Sequence, residues 1–91
     1  MEFEWDAAKA RTNFAKHGVS FEGACRVFLD AGRLEAEDDR MDYGESRYVT
    51  LGEVEGVVLY VVYTWRGRRR RLISARKATG WERRKYAANQ A

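Results

Sequence analysis

The chain contains no proline, one cysteine (Cys25) and one histidine (His17) among its 91 residues. One thiol cannot close a disulfide within the chain, so stability has to come from packing or from a partner. That fits a reducing compartment, with Cys25 as a small packed side chain. No stretch approaches the ~20 apolar residues of a membrane helix. The opening MEFEWDAAKA is acidic and lacks the apolar run of a secretory signal. A cytoplasmic setting is therefore expected. One His and one Cys, far apart in sequence, do not make the ligand cluster of a transition-metal site. Asp38, Asp39 and Asp42 could hold a hard cation, but they read better as part of a polar loop. Neither metal nor cofactor is expected. No glycine-rich phosphate loop is present, since Gly52 and Gly56 flank Glu53 and Glu55, which repel phosphate. Ser74 and His17 show no spacing that supports a nucleophile–base pair. Without repeats, low-complexity tracts or a linker, residues 1–91 are expected to form one domain around one modest core.

Basic charge is abundant and unevenly placed. The net charge is +3. Between Thr64 and Tyr86, ten basic residues face one acid, Glu82, giving +9. The rest of the chain holds seven bases and thirteen acids, giving −6. Such clustering is the electrostatic footprint of a polyanion binder, because like charges in one segment repel until something neutralises them.

The pattern of the chain predicts an α+β domain. Phe3 to Trp5 alternates as a short first strand. Asp6 caps a helix over 7–17, with Ala7, Ala10 and Phe14 on the buried face and Lys9, Asn13 and Lys16 away from it. Gly18 stops that helix, and Ser20 starts a second over 21–29 with Val19 as its staple. An antiparallel meander of three or four strands follows. Leu34 to Asp38 is edge-like, 45–51 is a strand, and 52–56 is a turn. The β-branched and aromatic run 57–65 is the central strand. A turn at 66–69 contains Gly67 and leads into a strand over 70–76. Thr79 and Glu82 have capping-box spacing, which places a final helix over 81–89.

Simple alternation along 70–76 sends Arg71, Ile73 and Ala75 one way and Arg70, Leu72, Ser74 and Arg76 the other. Arginine forks suit phosphate and aromatic rings suit bases. Trp65 and Tyr63 are candidates for stacking, or for core packing. Arg68, Arg69 and Arg70 read as steering charge in a turn. His17, beside a helix end, is a capping group or a proton carrier; histidine is the side chain best suited to proton transfer near neutral pH.

Three stretches together carry a family pattern. They are Phe3-Glu4-Trp5-Asp6 with Lys9, Asn13 and Lys16-His17-Gly18-Val19-Ser20-Phe21-Glu22; then Asp39-Arg40 with Gly44-Glu45, Arg47-Tyr48 and Gly52; then Tyr63-Thr64, Arg66-Gly67 and Arg71, Ile73-Ser74-Ala75-Arg76-Lys77-Ala78-Thr79 and Glu82. The chain resembles the BrnT family of bacterial type II toxins over nearly its whole length. It departs at Gly23, where an acid is common, and at Arg68 to Arg70, which make the hairpin more basic.

The resemblance implies a RelE-like fold and a metal-independent endoribonuclease that inhibits translation. It also implies a BrnA-like ribbon-helix-helix antitoxin, assembled as two toxins with an antitoxin dimer, that carries the DNA contact. In such cleavage the ribose 2′-hydroxyl attacks the neighbouring phosphate, so cations aimed at that phosphate are the main need. Arg71 and Arg76 are the candidates, with Arg66 assisting. His17, Lys77 and Tyr48 are the candidates for proton transfer. Arg66, Arg68, Arg69, Arg70 and Trp65 are the expected RNA contacts. Two other readings compete. One is a non-catalytic basic module that docks an acidic protein or nucleic acid. The other is direct DNA reading by the last helix, which is disfavoured because a strand, not a helix, precedes it.

Overall fold

The β-branched run of the fourth strand lies at the centre of a five-stranded sheet. A computed structural model describes residues 1–39 and 44–90. The elements are β1 (Glu2–Glu4), α1 (Ala7–His17), α2 (Phe21–Ala24), a 3₁₀ turn (Cys25–Leu29), β2 (Leu34–Asp38), β3 (Arg47–Val54), β4 (Val57–Arg66), β5 (Arg69–Lys77) and α3 (Gly80–Ala88). The sheet order is β1-β5-β4-β3-β2. β2 to β5 form the expected antiparallel meander. β1 joins the same sheet, parallel to β5, with Phe3 opposite Arg70 and Glu4 opposite Arg71.

Local chemistry sets most of these boundaries. The Asp6 carboxylate accepts from the N–H groups of Ala8 and Lys9, at 2.8 and 3.3 Å. Gly18 ends α1 at φ +70°, a conformation that costs a residue with a Cβ. Ser20 caps α2 by accepting from the Gly23 N–H at 3.0 Å. Thr79 and Glu82 form a complete capping box on α3. The β3–β4 turn is tighter than the sequence suggests. Glu55 and Gly56 both have positive φ, 50° and 82°, as a two-residue hairpin turn needs, so β3 runs on to Val54.

The second helix is also shorter than expected. Its α-helical part ends at Ala24 and continues as 3₁₀ turn to Leu29. This turn presses Val27 against β3 at Gly52. A Cβ there would lie 2.9 Å from Val27 Cβ and 3.1 Å from Val27 O, so only glycine permits the approach.

Both faces of the sheet are used. On one, Val19, Phe21, Ala24, Val27 and Phe28 pack on Leu59, Val61, Tyr63, Leu72 and Ala75. Cys25 is half-buried against this cluster, and burial pushes its thiol up to about 11. On the other face, α3 lays Tyr86 over Leu51 and Ala78. The buried stripe of α1 differs from the expectation drawn from helical periodicity. Phe14 is 56% exposed, whereas Asn13 is only 7% exposed. The cause is an uncovered sheet edge. β1 reaches along β5 only as far as Arg71, so the backbone of Ala75 lacks a neighbouring strand on that side. The Asn13 amide supplies both missing partners. It accepts from Ala75 N–H at 3.1 Å, and donates to Ala75 O at 2.9 Å and to Val19 O at 3.1 Å.

Asp30 ties α3 to the rest. Its carboxylate accepts from the N–H groups of Gly32 and Glu53, both at 2.8 Å, and from the Tyr86 hydroxyl. Burial, then the Asp30 charge, pushes Tyr86 up to about 12. A raised folded-state pKa means stability that is complete below the free tyrosine value of about 10 and fades as pH climbs above it. Tyr86→Phe should therefore cost about 1.5–3 kcal/mol at neutral pH. The gap from wild type should shrink between pH ~10 and ~12. Urea midpoints across that range check both statements.

Candidate functional site

A β-bulge decides which side chains share a face. Residue pairing between β4 and β5 shifts between Val62 and Tyr63. Val62 is opposite Ser74, Tyr63 is opposite Leu72, and Ile73 is the extra residue. The alternation expected for 70–76 is therefore broken, because one added residue reverses the sidedness of everything beyond it. Leu72 and Ala75 both enter the α1–α2 core. Arg71 is opposite Thr64, Ser74 opposite Val62 and Arg76 opposite Tyr60. These three β5 residues thus lie on one face, the side that carries α3. Arg66 and Arg69, opposite each other, extend the same row.

Carboxylates set the pose of each arginine. Arg71 donates to Glu4 of β1 at 2.7 Å. Arg76 grips Glu82 of α3 through two bonds, 2.8 and 3.0 Å, with its guanidinium 3.9 Å above the Tyr60 ring. Arg66 donates to Glu45 at 3.1 Å, and Arg69 lies 3.7 Å from Glu2 and 3.9 Å from Glu4. The Arg76 guanidinium, aided by the Thr79 N–H, holds the Glu82 carboxyl below the usual range against the pull of burial. The arginines were legible in the sequence, but Glu4, Glu45 and Tyr60 as their partners were not. Only the parallel placement of β1 brings Glu4, distant in sequence, against Arg71.

The opposite face carries an aromatic cluster at the same end of the sheet. The Arg70 guanidinium sits 4.2 Å from the Phe28 ring, 4.6 Å from Trp65 and 5.3 Å from Tyr63. Tyr48 stacks on Tyr63 at 5.5 Å, and Tyr63 donates to Glu35 at 2.8 Å. Burial raises the Tyr63 pKa. For Glu35, burial pulls upward, but bonds from Tyr63, Thr50 and Arg33 outweigh it and lower its pKa. The reading of Arg68, Arg69 and Arg70 as turn charge needs correcting, while the strand expected over 70–76 already held Arg70. Arg68 is in the turn, but Arg69 and Arg70 belong to β5, and Arg70 is a half-buried packing group. Trp65 stays 43% exposed beside it, while Tyr63 is core.

The three proton-transfer candidates are not gathered together. Lys77 is opposite Leu59, and Tyr48 is opposite Tyr63, so both belong to the α1–α2 face. His17 ends α1 and shares a cleft with Ser74 at the uncovered β5 edge. Arg40 and Asp42 lie outside the described residues. Among the described residues, no three of His, Cys, Asp or Glu group as metal ligands, and no helix is long and apolar enough to cross a membrane. A groove of about 520 Å³ runs between α3 and β2–β3, floored by Leu34, Val49, Leu51 and Tyr60 and edged by Trp81, itself 64% exposed.

No characterised protein matches in a search of curated sequences. A family model does match, over residues 5–82, described as the ribonuclease toxin BrnT of a type II toxin-antitoxin system. The matched span runs from the strand–helix junction at Trp5 through the arginine strand to Glu82, the carboxylate that holds Arg76. The chain therefore belongs to the BrnT family of ribonuclease toxins of type II toxin-antitoxin systems.

Proposed function

We propose that this toxin cleaves RNA without a metal, at the β5 arginine row, and that a BrnA-like antitoxin neutralises it. The observation that supports this most directly is the bulge at Ile73, which aligns Arg71 and Arg76 on one face with Ser74 between them. The ribose 2′-hydroxyl gives up its proton and attacks the adjacent phosphorus, the P–O5′ bond breaks, the 5′-oxygen takes up a proton, and a 2′,3′-cyclic phosphate remains. Extra negative charge develops on the phosphoryl oxygens, and fixed guanidinium groups stabilise it. Arg71 and Arg76 fill that role and Arg66 assists. Glu4 and Glu82 hold the first two in place, so little reorganisation is needed. His17 is favoured over Lys77 and Tyr48 for proton transfer, because it borders Ser74 while the other two belong to the far face.

The antitoxin reading is a ribbon-helix-helix protein, two copies of which hold two toxins and contact DNA on the toxin's behalf. A cytoplasmic setting follows from this role. Incubating the purified chain with single-stranded RNA in EDTA tests the chemistry. The expected products carry 2′,3′-cyclic phosphate and 5′-hydroxyl ends. Activity that vanishes in EDTA and returns with a divalent cation would overturn the metal-independent mechanism.

A further inference from the structure

The arginines of the β5 row are bonded or ion-paired to carboxylates, and the lysines on one face of α1 are not, among the described residues. Lys9, Lys16 and His17 line a cleft of about 330 Å³ between α1 and the bulged part of β5, facing Ile73 and Ser74. No carboxylate lines this cleft. Neither lysine forms an ion pair within 4 Å among the described residues. The nearest acid along the chain, Asp6, spends its carboxylate on the helix cap and is drawn down chiefly by the N–H groups of Lys9 and Ala8. An anion entering the cleft would displace no ion-paired carboxylate from the lysines, whereas one reaching Arg76 competes with Glu82.

Geometry gives the cleft a direction. Lys9, Asn13 and Lys16 follow i, i+4, i+7 spacing, so they share one face of α1. Asn13 bonds that face to Ala75. The lysines are roughly 10 Å apart along the helix axis, from a 1.5 Å rise per residue. They flank the segment of β5 between Arg71 and Arg76, on the edge that β1 leaves open. A strand whose scissile phosphate rests on the arginine row can pass over this edge into the cleft.

We propose that the α1–β5 cleft is a second RNA subsite, in which Lys9 and Lys16 each take one backbone phosphate next to the nucleotides being cleaved. The ligand is the sugar-phosphate chain of single-stranded RNA, held by charge without base reading. The subsite deepens the ribonuclease mechanism above and rests on the arginine row being the cleavage site.

The test uses a short single-stranded RNA, fully 2′-O-methylated so that it cannot be cut. Its affinity for the whole chain is measured between about 50 and 200 mM salt. Each phosphate contact to a single strand adds about 0.7 to the slope of log K against log salt. Lys9→Ala with Lys16→Ala should lower that slope by about 1.4 and weaken binding. Both positions are exposed on α1 and alanine favours helix, so the fold is retained. Lys9→Arg with Lys16→Arg should keep the wild-type slope. Arg11→Ala with Arg26→Ala, which removes equal charge outside the cleft, should lower it by much less. An unchanged slope in the double lysine variant, or an equal loss in the Arg11 and Arg26 control, overturns the subsite. Cleavage of unmodified RNA that survives Arg71→Ala with Arg76→Ala overturns the arginine row instead. The two failures are thus told apart.

Discussion

Replacing Arg71 by alanine is expected to lower RNA cleavage by about 10²–10³-fold, the usual loss when one preorganised charge-stabilising donor is removed. Arg71 donates to Glu4 through one nitrogen, at 2.7 Å. That bond aims the guanidinium from the α3 face of the sheet. Arg71 and Glu4 are about a third exposed, at 32% and 28%, so their pairing adds little to stability, on the order of 1 kcal/mol or less. Activity should therefore fall far more than the melting point does. Arg76→Ala should reduce cleavage similarly but with a larger stability loss. It leaves Glu82, whose side chain is 12% exposed, with the Thr79 N–H of the capping box as its backbone donor. Combining the two changes should cost less than the sum of their separate effects, since both act on one developing charge. The measurement is single-turnover cleavage in EDTA, alongside thermal melts. A folded Arg71→Ala protein that cleaves at the wild-type rate would falsify the placement of the chemistry on this face.

A loss of stability as large as that of truncating an apolar core residue is expected at Asn13, a polar position. Asn13→Ala removes three hydrogen bonds at once, to Ala75 N–H, Ala75 O and Val19 O. The residues left behind are buried, Ala75 fully and Val19 to 8% exposure. Leaving a buried polar group unpaired costs about 1–3 kcal/mol each. A total of about 3–5 kcal/mol, allowing for relaxation, is a large part of what holds a domain of this size together. Asn13→Asp separates hydrogen bonding from shape. A carboxylate still accepts from Ala75 N–H but meets Ala75 O and Val19 O with no donor, so it too should be strongly destabilising. Phe14→Ala, one residue on, should be nearly neutral because Phe14 is 56% exposed. Denaturant midpoints for the three variants decide the matter; Asn13→Ala within about 1 kcal/mol of wild type would sink the account.

Asn13 also marks where reading along the chain stops. In the sequence it is a polar residue in a polar turn of helix, and periodicity alone assigns it to solvent. Nothing local announces that β1 will end at Glu4 and leave Ala75 uncovered. The reversal at Ile73 has the same character. Strict alternation puts Arg71 and Arg76 on opposite faces, and a bulge reunites them. A bulge is chosen by the pairing of two strands, so neither strand's sequence contains it alone. Arg70 reads as loose charge in a turn, yet three aromatic rings surround it once β4, β5 and the 3₁₀ turn converge.

Much else was decided by the chain itself. Asp6, Gly18, Ser20 and the Thr79–Glu82 pair set the ends of the helices, because caps act within a few residues. The β-branched and aromatic run 57–65 determined the central strand, which extends one residue further to Arg66. The +9 stretch, with Arg66, Arg71 and Arg76 spaced along it, pointed to a polyanion through charge alone. Those features depend on neighbours in sequence or on simple counting of charge. The tertiary structure alone decided which arginines share a face, which carboxylates hold them, and that Lys9, Lys16 and His17 border the same strand. Each of these depends on one element meeting another across the sheet, where register and edge coverage, not local preference, set the outcome.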